Sequence, residues 1–134
     1  MAGEVTYQLS DRFRADHARV FMSGIQALAR LPIEQLRADR RDGFRTAAFV
    51  SGYQGSPLGG YDAAVRAAAK AAAEHDVVIR AGLNEEYGAT AVMGSQLAAS
   101  QPDARYDGVV GVWYGKAPGV DRAADALRHA VYAG

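Results

Sequence analysis

The apolar and polar positions of this chain switch between two periods, one helical and one strand-like. Val20, Phe21, Ile25, Leu28 and Leu31 recur at helical spacing after Asp16, which predicts an amphipathic helix over 16–31. Pro32 lacks the N–H that a continuing helix needs and predicts a stop or a kink there. A second short helix, 33–40, fits the sequence IEQLRADR that follows. The charge-rich run 37–45 reads as a solvated face or loop. Residues 1–15 are polar and read as an extended lead-in.

Beyond this helical lead-in (1–43) the pattern changes. Residues 44–51, FRTAAFVS, bounded by Asp42-Gly43 and Gly52, read as a buried strand. Residues 61–75 are alanine at eight of fifteen positions, with Arg66, Lys70 and Glu74 every fourth position. That predicts a helix with one polar stripe and a small-residue face able to lie close to a sheet. A second strand is expected over 76–81, and a helix over 85–100 with Asn84 as its N-cap. A third strand is expected at Gly108–Tyr114, and after the loop GKAPGV a final amphipathic helix from Asp121. Three strand–loop–helix units in succession imply an α/β fold: a parallel sheet in three layers, with helices on both faces. The last helix reaches the end of the sequence with no further strand, which leaves an open sheet edge and predicts that the chain is the first part of a longer protein.

In such sheets ligands bind outside the carboxyl ends of the strands. Three loops converge on that edge here: GYQGSPLGG, GLNEE and GKAPGV. The first holds four glycines in nine residues but matches neither dinucleotide nor P-loop spacing. On composition alone it is as readily a Pro/Gly connection as a ligand loop. Glu85 and Glu86 stand in the first turn of a helix, where carboxylates are favoured by the macrodipole by about 0.3–1 kcal/mol without any further role. Adjacent helical residues point about 100° apart, so at most one of the two faces a cleft. Lys116 reads most simply as a solvated lysine, and Trp113 and Tyr114 as core. His17, His75 and His129 fall on different predicted helices, without metal-ligand spacing, and read as surface or boundary residues.

Composition narrows the classes. Lys+Arg and Asp+Glu number 15 each, for a formal net charge of zero, which removes the electrostatic case for nucleic-acid or anionic-membrane partners. There is no cysteine, so the chain itself carries no disulfide, thiolate metal site or cluster ligand. The N-terminus has no secretory pattern and no apolar run is long enough to span a bilayer, so a cytoplasmic address is expected.

The segments SGYQGSPLGGYD (51–62), GLNEEYGATAVMGSQ (82–96) and VWYGKAPGVDRAADALRHA (112–130) together closely resemble indolepyruvate ferredoxin oxidoreductases. LSDRF and RVFMSGIQALARLP (19–32) resemble the N-terminus of the same family, within the thiamine-diphosphate-dependent 2-oxoacid:ferredoxin oxidoreductases. The resemblance implies that residues 44–134 are a partial thiamine pyrimidine-binding domain, one wall of a site shared with another domain. It implies that Glu85, with Glu86 as the alternative register, bonds the pyrimidine N1′ and activates the cofactor. Gly115, Lys116, Pro118 and Gly119 are expected to border the cofactor ring, and Ser56, flanked by Gly55 and Pro57, to contact the 2-oxoacid. The implied reaction is oxidative decarboxylation of an aryl 2-oxoacid to an acyl-CoA, with electrons passed to ferredoxin. No GDG motif occurs in the chain, and with no cysteine the diphosphate–Mg²⁺ half-site and the iron–sulfur clusters are expected on other domains or subunits of the enzyme. The isolated piece is therefore expected to be inactive. The alternative is a non-catalytic remnant or binding module that keeps the α/β fold.

Overall fold

The computed structural model describes residues 7–54 and 58–133. Its first element, α1 (Asp11–Arg14), is a single helical turn inside the lead-in expected to be extended. Helix α2 spans Gly24–Arg41, so the helix expected at 16–31 starts later and does not stop at Pro32. Its start is set by a capping box: the Ser23 hydroxyl accepts from the Gln26 backbone N–H, and the Gln26 side chain accepts from the Ser23 N–H. The S-x-x-Q spacing was present in the sequence and outranks the apolar periodicity, which left Phe21 exposed.

Pro32 stays inside α2 because its neighbourhood is buried. A proline in a helix interior costs about 3 kcal/mol. Ile33 and Leu36 are fully buried and Pro32 itself is buried. Each large apolar side chain removed from water returns about 1.5–3 kcal/mol, enough to offset the break. The charge-rich run also departs from the solvated reading at its first residue. Arg37 is buried, donating to Glu34 Oε1 at 2.7 Å and to the Arg14 carbonyl at 2.7 Å. Arg30 donates to the Arg12 carbonyl at 2.8 Å, so two guanidinium groups tie α1 to α2.

Strands β1 (Thr46–Gly52), β2 (Val77–Ala81) and β3 (Gly108–Tyr114) form a parallel sheet in the order β2–β1–β3. Val50 on the central strand pairs with Ile79 on one side and Val112 on the other. Helix α3 (Tyr61–Ala73) joins β1 to β2, and helix α4 (Glu85–Gln96) with a 3₁₀ turn at Leu97–Ser100 leads toward β3. After β3 the chain forms α5 (Ala117–Arg122) and α6 (Ala124–Ala133). The expected loop 115–120 is therefore mostly helix. Pro118 sits in the first turn of α5, where its missing N–H would be unpaired in any residue.

Side chains alternate across the sheet and sort the helices into two layers. Ala48, Val50, Val110, Val112 and Tyr114 pack with Ile33, Leu36, Val65 and Ala68 in the core under α2 and α3. Gly111 and Trp113, on the other face of β3, meet α4. The protein is α/β, with a three-stranded parallel sheet flanked by helices.

Candidate functional site

The strand order creates a switch point. From β1 the chain moves to β2 on one side and then to β3 on the other, so the loops after β1 and β3 diverge to opposite faces. Crevices at such points are the usual ligand sites of open α/β sheets. The register brings Gly52, Ala81 and Tyr114 level, so all three loops start from this one edge.

Close backbone approach makes this edge tight. A Cβ on Gly52 would collide with the Tyr114 carbonyl oxygen and stand 2.7 Å from its ring. On α4, a Cβ at Gly88 would lie 3.2 Å from Gly52 Cα, so helix and strand end touch through two glycines. The start of α4 is fixed by Asn84, whose side-chain oxygen accepts from the Tyr87 N–H at 2.9 Å as expected of an N-cap.

Glu85, the first residue of α4, is buried, whereas Glu86 is exposed. Among the described residues the Glu85 carboxylate has no ion-pair partner: the salt bridges at hand all lie elsewhere. Its side chain lies against α5, where a Cβ on Gly119 would stand 2.8 Å from Glu85 Cγ and 3.4 Å from Oε1. Trp113 at the end of β3 reaches the same point, its indole N–H donating to the Glu85 backbone carbonyl at 3.1 Å.

The other site residues separate. Gly119 is buried beneath Glu85, so it makes room for that side chain; it does not lie on an open loop. Gly115 does likewise for the Trp113 ring, since a Cβ there would be 2.6 Å from the indole. Lys116 and Pro118 are exposed on the outer side of the turn. Gly55, Ser56 and Pro57 lie outside the described residues. Trp113 was the residue missed by sequence reasoning, which took it as core. Its position at the carboxyl end of a strand was the available signal.

On the α2 side of the sheet, Tyr61 and Tyr114 meet edge to face with ring centroids 5.1 Å apart. Burial raises both phenol pKa values above the usual range, and each has a second, smaller cause: Tyr114 beside Tyr61, and Asp62 beside Tyr114. Both phenols are thus neutral at physiological pH. They border an apolar cavity of about 370 Å³ between α2 and the open edge of β3, lined also by Leu28, Leu31, Val110 and Val112. Exposed apolar side chains also occur on the segments next to Glu85 and Gly119: Leu83 before α4, Tyr87 in its first turn and Val120 in α5. Among the described residues no helix is long and apolar enough to cross a membrane, and no group of three His, Asp or Glu is placed to hold a metal. Comparison with protein-family models, curated proteins and solved structures finds no match to this chain.

Proposed function

We propose that this chain forms the pyrimidine-binding wall of a thiamine-diphosphate-dependent 2-oxoacid:ferredoxin oxidoreductase acting on aryl 2-oxoacids such as indolepyruvate. One observation carries the reading: Glu85 is buried at a helix start on the ligand-binding edge of a parallel sheet, and its carboxylate has no ion-pair partner among the described residues. A carboxylate without a partner in its own chain keeps acceptor positions open to a ligand. An aminopyrimidine ring nitrogen is a suitable partner, and the sequence resemblance points to the same residue. The neighbouring Gly119 adds a cradle that a Cβ would fill.

Thiamine diphosphate, when bound, supplies the carbon nucleophile and electron sink for decarboxylating a 2-oxoacid. Within this chain, Glu85 is the group that holds a proton at a carboxyl oxygen against the ring nitrogen. Glu86, pointing into solvent, has no part in that contact. Trp113 at the end of β3 holds the backbone of Glu85 through its indole N–H. The apolar side chains Leu83, Tyr87 and Val120 suit a second wall, which in this reading comes from the remaining domains of the enzyme, with ferredoxin, CoA, Mg²⁺ and the clusters belonging there. Oxidation of the 2-oxoacid by this chain alone is not expected.

Thiamine itself retains the aminopyrimidine and tests the reading without the diphosphate half-site. Saturation-transfer NMR should show transfer from the protein to the pyrimidine protons. The transfer should disappear in Glu85→Ala and persist in Glu86→Ala. Absence of transfer to the native chain, or its survival in Glu85→Ala, refutes the assignment.

A further inference from the structure

Gly115 and Gly119 would be assigned to a ligand by their place in the loop sequence, but in the structure both make room for neighbouring side chains. A Cβ on Gly119 would enter the space of Glu85 Cγ at 2.8 Å, and one on Gly115 would enter the Trp113 indole at 2.6 Å. Trp113 in turn donates its indole N–H to the carbonyl of Glu85. Three elements therefore meet on one residue: β3 through Trp113, α5 through Gly119, and α4 through its first turn.

We infer that Trp113, Gly115 and Gly119 are positioning residues that together hold the Glu85 side chain in a single orientation at the strand edge. This rests on the reading of Glu85 as the group that meets the aminopyrimidine. A residue in the first turn of a helix ordinarily has several open rotamers, because no preceding turn restricts it. For Glu85 the α5 backbone at Gly119 closes one side. The Trp113 hydrogen bond fixes the first peptide of α4 against β3, so the Cα–Cβ bond starts from a set direction. Gly115 contributes indirectly, by letting the indole turn toward α4.

The arrangement separates positioning from stability. In Gly119→Ala the new methyl meets a flexible side chain, not backbone, and Glu85 can turn out into solvent. Alanine is also the better helix former, so α5 loses nothing by the exchange. In Trp113→Phe the aromatic packing is largely kept and the hydrogen bond to Glu85 is lost.

The test is NMR of the chain with labelled glutamate. Three-bond couplings should give one χ1 rotamer for Glu85 in the native protein, with a nuclear Overhauser contact from its Hγ protons to Gly119 Hα. Gly119→Ala should move Glu85 to another rotamer, and Trp113→Phe should average its couplings, each with a melting temperature close to native. Unchanged couplings in both variants overturn the inference. So does a Gly119→Ala chain that fails to fold, because the methyl is then not accommodated by turning Glu85. Saturation transfer to thiamine, measured on the same variants, should fall at least tenfold with the loss of the rotamer. If the rotamer is lost and transfer is unchanged, the positioning stands and the pyrimidine-binding reading fails.

Discussion

The sharpest consequence of the fold lies at Gly52, where the central strand ends beside the candidate site. A methyl group there would overlap the Tyr114 carbonyl oxygen and come within 2.7 Å of the Tyr114 ring. One obstacle is backbone of the hydrogen-bonded neighbour strand, and the ring is buried, so neither can swing away. Overpacking a dense interior costs about 1–3 kcal/mol, and a backbone clash belongs at the upper end. Replacing glycine in a strand recovers roughly 0.5–1 kcal/mol of conformational entropy. The net effect expected of Gly52→Ala is a destabilisation of about 2 kcal/mol, a large share of the roughly 5–15 kcal/mol that holds a domain together. Urea unfolding should show a lower midpoint at an unchanged slope, and a melting temperature lower by roughly 5–10 °C. Gly94→Ala is the matched control. It lies inside α4 with nothing within 4 Å of a new Cβ, and should gain roughly 0.5–1 kcal/mol. Native stability in Gly52→Ala would mean that β1 and β3 do not run side by side in this register.

Ser23→Ala should cost about 1 kcal/mol by urea unfolding, since it removes the hydroxyl that caps α2; no loss would return the helix start to the Asp16 region. Leu36→Ala should cost about 2–5 kcal/mol in the same assay, because Leu36 is fully enclosed between α2 and the sheet. His75 should make stability pH-dependent. Its Nε2 lies 3.2 Å from Arg37 Nη2, and burial first, then Arg37 and Arg40, hold its pKa below the ordinary 6.5, against smaller opposing effects of Glu74 and Glu34. The unfolded chain therefore binds this proton more readily, so the contribution is complete above about pH 6.5 and is lost as pH falls through the lower folded value. Denaturation midpoints measured from pH 7.5 to 5 should fall, and fall less steeply in His75→Gln; identical slopes would remove His75 as the cause.

The sequence alone determined much of this protein because much of it is governed by local chemistry. Gly108–Tyr114 is a strand at the boundaries read from its apolar run, and Asn84 caps α4 as its side chain and position required. The alternation of buried runs with small-residue helices was enough to specify a parallel sheet covered by helices, since few other arrangements bury such strands on both faces. Local rules failed where burial opposed them. Pro32 is held in a helix by the enclosure of Ile33 and Leu36, and Arg37 is buried because carbonyls of α1, distant in sequence, receive its N–H groups. The candidate site shows the same division. Glu85 could be named from its place at a helix start within a family-like motif. That Glu85 is the buried residue and Glu86 the exposed one, that Gly119 clears space for it, and that Trp113 grips its carbonyl were decided only in three dimensions. Those contacts join three elements through residues up to 34 positions apart in sequence, and no local pattern encodes a distance between them.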